Sequence, residues 1–221
     1  MARDERRRQK ALLKKRRKDK EGKKKSNIFS ILGLDSYPYK VGLIKRAKEF
    51  PIHECLINED WQDSGLAYVL LSRKQPNNGL IIGTYLVDIY CLGLKNTFCN
   101  ANISSEDYEK LKLKMFRQGS AITCHPGLAN RIIYGAIDYA RRLGFEPQKD
   151  FTLSRFALDE PSDVDLSFDV EFGKDGMPFY IAGPDDDVDH VMKQLSKHVG
   201  EALTLMQIDP LMLKKNNPFQ P

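Results

Sequence analysis

The sequence contains no apolar run long enough to cross a membrane. A membrane-spanning helix needs roughly 18 or more consecutive and mainly apolar residues, and no segment of the 221 residues approaches that length. The basic residues at the N-terminus are not followed by the apolar segment of a secretory signal peptide. We therefore expect a soluble protein without a membrane partner, located in the cytoplasm, or in the nucleus if the organism is eukaryotic.

Cysteine is scarce, and the four residues Cys55, Cys91, Cys99 and Cys124 are unevenly spaced with no C-x-x-C pair. Disulfide frameworks need dense cysteines, so the pattern is typical of reduced thiols in a cytosolic compartment. A zinc site could combine Cys91, Cys99, Cys124 and His125. Because the paired knuckles of zinc sites are missing, buried thiols are the default interpretation, and we expect no cofactor.

Common catalytic motifs are absent as well. The sequence has no glycine-rich phosphate loop, no G-x-S-x-G and no H-E-x-x-H, which are the signatures of phosphate-binding loops, serine hydrolases and zinc proteases. It has no internal repeat either. These absences leave no reaction that a motif identifies, so a binding protein is favoured over an enzyme.

Charge is distributed unevenly along the chain. The formal net charge is +5, but residues 1–26 contain 14 Lys or Arg and 4 Asp or Glu, a balance of +10. The other residues contain 21 basic and 26 acidic side chains, a balance of −5. The basic character of the protein therefore comes from one N-terminal segment, which we call the basic arm.

The basic arm has too few apolar residues to form a core, so we expect it to be disordered alone or transiently helical over residues 4–20. Contacts between basic side chains and phosphates are favoured by counterion release, and arginine-rich segments commonly fold on RNA. The arm therefore predicts binding to nucleic acid, RNA or a ribonucleoprotein above all. Alternatives are a nuclear address, a membrane-surface segment or a solubility tail. The predicted phosphate-binding residues are Arg3, Arg6, Arg7, Arg8, Lys10, Lys14, Lys15, Arg16, Arg17, Lys18, Lys20, Lys23, Lys24 and Lys25.

The densest apolar sequence lies at residues 66–94 and predicts a long central β-hairpin. Val, Ile, Leu and Tyr dominate both flanks, and Asn78-Gly79 can supply the positive φ angles of a tight turn. Both faces of the two strands carry large apolar side chains, so helices should cover at least one side. An earlier strand is predicted at residues 52–57, after a helix at residues 41–50 that Pro51 ends. Trp61 falls in the intervening loop, at the core edge or on a contact surface.

Helical and extended patterns follow the hairpin. Ser104 and Asp107 resemble a capping box for a helix to residue 116, and apolar residues recur at helical spacing over residues 128–143. Strands are predicted at residues 151–158 and 164–172, followed by an Asp175-Gly176 turn into residues 177–182 and a last helix over residues 188–206. These elements predict an α+β fold with a mixed or antiparallel sheet and about three packed helices. We divide the chain into the arm (1–26), one domain (27–208) and an irregular tail (209–221).

Strict alternation at residues 163–172 places acidic side chains on one side of the last predicted strand. Clustered carboxylates bind divalent cations, so a metal-dependent nuclease of ribonuclease-H-like type is the enzyme alternative. A solvated edge strand, with charge that prevents aggregation, is the simpler interpretation, and a protein-interaction adaptor stays open as a third function. The alternative catalytic residues are Asp88, Asp165, Asp169 and Glu171, with Asp163 beside them.

Overall fold

The computed structural model describes residues 37–117, 119–162, 167–183, 186–199 and 204–206. The chain divides into two compact units, residues 1–42 and 43–221. The part of the first unit that the structure describes is residues 37–42, and they form the first turns of helix α1 (Tyr37–Lys45). The basic arm and the tail of residues 209–221 lie outside the described residues, so the three-part domain division stays a prediction.

Helix α1 begins and ends earlier than the sequence predicts. It stops at Lys45, and a 3-10 helix (Ala47–Glu49) follows before Pro51. Phe50 has extended angles (φ −104, ψ 140), as expected for a residue whose helical conformation would clash with the proline ring that follows it.

A five-stranded sheet forms the centre of the second unit. Each neighbouring pair of strands is antiparallel, and the spatial order is β4-β3-β2-β1-β5. Strands β1 to β4 form a meander, because each pairs with its neighbour in sequence, and β5 returns to the free edge of β1. The strands are β1 (Ile52–Asn58), β2 (Leu66–Lys74), β3 (Leu80–Asp88), β4 (Gly93–Ile103) and β5 (Ala121–Thr123).

The central hairpin is confirmed. β2 and β3 pair without interruption, from Leu66 opposite Asp88 to Lys74 opposite Leu80. The hydrogen bond from Gln75 N to Gly79 O, at 2.9 Å, closes the hairpin loop. Residues 76–78 lie between these two, so the loop is longer than a two-residue turn. Asn78 has a φ of 62°, but Gly79 has no positive φ, so the prediction for Gly79 is wrong.

Strand β3 ends at Asp88 rather than continuing through the apolar residues that follow. The backbone N–H groups of Tyr90 and Cys91 both donate to Asp88 Oδ1 at 2.9 Å, which turns the chain. Gly93, with a φ of 69°, then begins β4. β4 contains an Asn-rich segment for which the sequence predicts no strand. It forms because β3 pairs with it along its length, with two shifts in register.

Two predicted helices are confirmed by their N-terminal caps. Helix α3 (Ser105–Met115) begins where Asp107 N donates to Ser104 Oγ at 3.1 Å. Helix α4 (Pro126–Arg142) begins with proline at its first position, and Gly127 N donates to Nδ1 of His125 at 3.0 Å.

Helices α3 and α4 cover opposite faces of the sheet. Val69 and Leu71 of β2 share a buried cluster with Ile132 of α4, whereas Leu70 shares one with Tyr108 of α3. Helix α2 (Trp61–Ser64) adds the Trp61 side chain, 6% exposed, to the α4 side. Each large apolar side chain buried in this way stabilises the fold by roughly 1.5–3 kcal/mol.

Residues 151–157 are helical, so the strand predicted at residues 151–158 is wrong. They form helix α5 (Phe151–Ser154) and a 3-10 helix (Arg155–Ala157). Leu153 and Phe156 pack against the cluster of Ile81 and Ala101. Their spacing of three residues places both on one side of a helical turn, and burial of that side decides the conformation.

The predicted strand at residues 164–172 is wrong over the part that the structure describes. Residues 163–166 lie outside the described residues, and residues 167–172 join no sheet. The segment is held by its side chains instead of a hydrogen-bonded ladder. The predicted alternation of burial is retained, with Phe168, Val170 and Phe172 packed on the core and Asp169 and Glu171 exposed.

The Asp175-Gly176 turn forms as predicted, with φ angles of 52° and 75°. Lys174 and Met177 exchange both backbone hydrogen bonds, at 2.8 and 3.0 Å. The hairpin extends no further, because strand β6 (Phe179–Ile181) pairs in parallel with strand β7 (Thr204–Met206).

The last predicted helix is too long. Helix α6 (Val188–Val199) includes the first half of the predicted apolar stripe, and Val191 and Leu195 are buried. Thr204–Met206 form strand β7 instead, since their backbone pairs with β6. The structure confirms an α+β fold whose main sheet is antiparallel. Within the described ranges, no helix is long and apolar enough to cross a membrane.

Candidate functional site

The four carboxylates of the nuclease hypothesis lie in different surroundings. Asp88 is buried at the end of β3, whereas Asp169 and Glu171 are exposed. Asp165, like Asp163, lies outside the described residues. Among the residues that the structure describes, no three His, Cys, Asp or Glu are grouped to hold a metal ion. The nuclease hypothesis therefore stays a prediction without a ligand set.

The residues considered for zinc are also separated. Cys91 lies in the cluster of Tyr180 and Leu195, and Cys99 packs beside the cluster of Ile81. Cys124 faces Cys55, with 3.4 Å between the sulfur atoms. His125 accepts the N-terminal hydrogen bond of α4 through Nδ1. These placements bring two thiols together but do not form a four-ligand set.

Asp88 is a buried carboxylate with a structural task. Its Oδ1 atom accepts both hydrogen bonds of the turn that follows β3. Burial raises the pKa of Asp88 from its ordinary 3.8 to about 6, although the Lys95 charge and the backbone N–H groups of the turn act in the opposite direction. The Lys95 ammonium contacts Asp186 at 2.8 Å and does not contact Asp88 directly.

We expect Asp88→Asn to stabilise the protein near pH 7 by roughly 2–3 kcal/mol, because the amide keeps the oxygen acceptor without a buried charge. The folded chain keeps the Asp88 proton up to about pH 6, whereas the unfolded chain releases it near pH 4. The stability that protonation gives the wild type is therefore present below pH 4 and is lost as pH rises through 6. Urea unfolding of both proteins between pH 4 and 7 measures this. A stability difference that stays constant over that range would contradict it.

On one face of α4, two arginine side chains lie over a stacked pair of aromatic rings. Arg131 lies over the ring of Phe172, 4.9 Å from its centroid, and Phe172 stacks on Tyr139 with 6.3 Å between centroids. The Arg142 guanidinium lies over the Tyr139 ring, 5.5 Å from its centroid. We call these four residues the arginine–aromatic face.

Two glycines allow this stack to form. At Gly135, a Cβ atom would lie 2.2 Å from Cζ of Phe172, so only glycine lets the ring rest on the helix. At Gly173, which has a φ of 83°, a Cβ atom would lie 2.5 Å from the Tyr139 hydroxyl. The missing side chains at Gly135 and Gly173 therefore let the Phe172 and Tyr139 rings pack directly against the backbone.

A third cation lies on the turn that follows Phe172. Lys174 Nζ is 4.7 Å from the centroid of Phe179, and Tyr90 meets the same ring edge to face at 6.0 Å. Lys174 and Arg142 are exposed, whereas Phe172 and Tyr139 are half-buried. The segment of residues 172–179 thus adds a second cation–aromatic pair.

The cations on and beside this face differ in their carboxylate partners. No carboxylate among the described residues forms an ion pair with Arg131, Arg142 or Lys174. Arg141, on the same helix, differs because it contacts Asp138 at 3.6 Å and Glu146 at 3.4 Å. Arg131, Arg142 and Lys174 therefore have no direct carboxylate contact within the described residues, although Glu171 and Asp175 act electrostatically on the nearby Tyr90.

Two buried donors on this face lack hydrogen-bond partners among the described residues, namely Nε of Arg131 and the hydroxyl of Tyr139. Such groups are uncommon in folded proteins. Burial also raises the pKa of Tyr139 to about 12, so the hydroxyl stays protonated as a donor. Stacked guanidinium groups keep N–H edges for phosphate oxygens, and Arg and aromatic planes both stack on nucleobases.

The sequence alone did not predict this face. The signal was present in part, because Arg131, Gly135, Tyr139 and Arg142 follow one another at spacings of four, four and three. Phe172 could not be found in this way, because its segment was interpreted as a strand.

The predicted phosphate-binding residues of the basic arm, from Arg3 to Lys25, lie outside the described residues. Their role stays a prediction from charge. Comparison of the chain with protein-family models, curated protein sequences and solved structures finds no match.

Proposed function

We propose that this protein binds nucleic acid, and RNA or a ribonucleoprotein in particular. The observation that carries the proposal is the distribution of charge, +10 over residues 1–26 and −5 over the rest of the chain. A dense cationic segment gains free energy on phosphates because it releases condensed counterions. The acidic remainder repels phosphates at long range, so the arm accounts for the initial attraction.

The arginine–aromatic face supports the same function in the folded part. Its cations have no carboxylate partners among the described residues, and its planar groups are suited to unpaired bases. Base stacking contributes roughly 1–3 kcal/mol per base and tolerates many sequences. In this proposal the arm contacts phosphates and the face contacts bases of a single-stranded segment.

We expect a chain that begins at Asn27 to bind single-stranded RNA about tenfold to a hundredfold more weakly than the full chain, since it lacks the arm's phosphate contacts. We expect the full chain to lose affinity steeply as salt rises, and the shortened chain to be less sensitive. Fluorescence anisotropy with a labelled oligonucleotide at several salt concentrations measures both effects. Equal affinities of the two chains at moderate salt would contradict a role for the arm.

The contribution of the face is tested in the full chain with Arg131→Gln and Arg142→Gln combined. Arg141→Gln is the matched control, because this arginine lies on the same helix but is already paired with carboxylates. The double variant should bind RNA several-fold more weakly, and the control should bind like the wild type.

Cleavage of the RNA in Mg²⁺ or Mn²⁺ would instead favour the nuclease alternative. Capture of protein partners that survives nuclease treatment would favour an adaptor.

A further inference from the structure

Two cysteines that are far apart in the sequence face each other where the edge strand β5 pairs with β1. Cys55 lies in β1 and Cys124 follows β5, and their sulfur atoms are 3.4 Å apart. Both side chains are buried, with 3% and 9% exposed, respectively. The contact is close to van der Waals distance, so no other side chain separates the thiols.

The backbone holds the two residues directly opposite each other. Leu56 pairs with Thr123, so the antiparallel register continues to Cys55 and Cys124, and Cys124 N donates to Cys55 O at 3.0 Å. Opposite residues of such a hydrogen-bonded pair typically have Cα atoms about 5.5 Å apart. This lies within the range of about 4.4–6.8 Å that a disulfide spans, so the strand register permits a bond between them.

We propose that Cys55 and Cys124 form a dithiol site that reacts with peroxides and closes to a reversible disulfide. The proposal is independent of nucleic-acid binding. It adds a chemical modification to thiols that the sequence predicts to be reduced and buried.

The reaction is a two-electron oxidation by a peroxide. The Cys124 thiolate attacks one peroxide oxygen, so that with a proton it becomes a sulfenic acid while hydrogen peroxide is reduced to water. The Cys55 sulfur then attacks the sulfenic sulfur, the S–O bond breaks, and a second water leaves as the disulfide forms. The chain loses two hydrogen atoms in total, and a dithiol reductant restores both thiols.

Two features favour Cys124 as the thiol that attacks the peroxide, namely its hydrogen bond with Cys55 and its position before helix α4. The two thiols share a hydrogen bond in which either sulfur can donate, and this hydrogen bond lowers the pKa of Cys124 when Cys55 is the donor. Cys124 also precedes the N-terminus of the 17-residue helix α4 by two positions, where the helix dipole favours negative charge. Burial raises the pKa of Cys91, and it raises that of Cys99 to about 11. Neither of these thiols has a neighbouring cysteine within bonding distance among the described residues.

The test treats the reduced full chain with hydrogen peroxide, removes the peroxide, unfolds the chain in urea and then blocks the remaining thiols with a maleimide. Peptide mapping by mass spectrometry should show residues 55 and 124 in one cross-linked peptide pair, lighter by two hydrogens, that dithiothreitol separates. Cys91 and Cys99 should carry the maleimide. Because a disulfide restricts the unfolded chain, the oxidised protein should unfold at a temperature higher by roughly 10 °C.

Cys124→Ser should abolish the cross-link and the temperature shift, and Cys99→Ser should leave both intact as the matched control. The peptide map of the wild type needs no variant, so the test holds even if a substitution impairs folding. The proposal is overturned if Cys55 and Cys124 both remain maleimide-reactive after the peroxide treatment. A cross-link that joins any other pair of cysteines, or oxidation of Cys124 to a sulfinic acid without a cross-link, overturns it equally.

Discussion

Replacing Arg73 with methionine is expected to lower the free energy of unfolding by about 3–5 kcal/mol. Arg73 lies in β2 with only 3% of its surface exposed. Its guanidinium donates to Ala157 O at 2.8 Å, to Phe50 O at 3.0 Å and to Asp159 Oδ1 at 2.5 Å. Methionine fills a similar volume but leaves two backbone carbonyls and one carboxylate without their donor.

Urea unfolding of the wild type and Arg73→Met measures this loss, and Arg73→Lys should lose nearly as much because an ammonium cannot reach three separate acceptors. The matched control is Arg46→Met. The Arg46 guanidinium forms an exposed ion pair with Glu49, and exposed pairs contribute little to stability. Similar losses for Arg46→Met and Arg73→Met would show that the buried hydrogen bonds are not the cause.

Gly93→Ala is expected to cost roughly 2–5 kcal/mol, the sum of backbone strain and overpacking. Gly93 starts β4 with a φ of 69°, which costs an L-residue about 1–2 kcal/mol. A Cβ atom there would also lie 2.7 Å from Cβ of Ala140 and 2.8 Å from the carbonyl oxygen of Ala136. Both atoms belong to α4, so the helix would have to move away from the sheet.

Gly176→Ala separates the two causes. Gly176 has a similar φ of 75°, but a Cβ atom built there meets no atom within 4 Å. Its alanine variant should therefore show the backbone strain alone, about 1–2 kcal/mol. Thermal or urea unfolding of both variants gives the comparison. Equal losses at the two positions would mean that α4 adjusts to the added methyl group at no cost.

The sequence predicted elements whose signals are local. The hairpin of β2 and β3 carries continuous apolar residues around Asn78, and α4 carries helical periodicity after Pro126. The cap of α3 at Ser104 could be predicted for the same reason, since one side chain and one backbone group three residues away decide it.

The errors arose where distant residues decide the structure. The Asn-rich strand β4 forms because β3 pairs with it, which outweighs its low intrinsic strand propensity. Phe168 and Phe172 alternate like strand residues, but none of the strands that the structure describes pairs with their backbone. Local patterns indicate which side chains are buried and do not indicate which backbone partner exists.

The candidate sites also divide into features that the local sequence predicts and features that depend on distant residues. The charge of the basic arm can be counted in the sequence, and so can the arginines of α4. The stack of Phe172 on Tyr139 and the contact of Cys55 with Cys124 join residues that are far apart in the chain. The first contact depends on the path of residues 167–173 beside α4, and the second depends on the sheet order, so local patterns predict neither.

The position of β5 has a consequence for the entropy of the chain during folding. The meander of β1 to β4 joins segments that follow one another directly, so its pairings close only short stretches of chain. β5 is different, because pairing Leu56 with Thr123 closes a loop that contains the rest of the sheet and α3. The entropic cost of closing a loop grows with its length, so the pairing of β5 bears the largest such cost in this sheet.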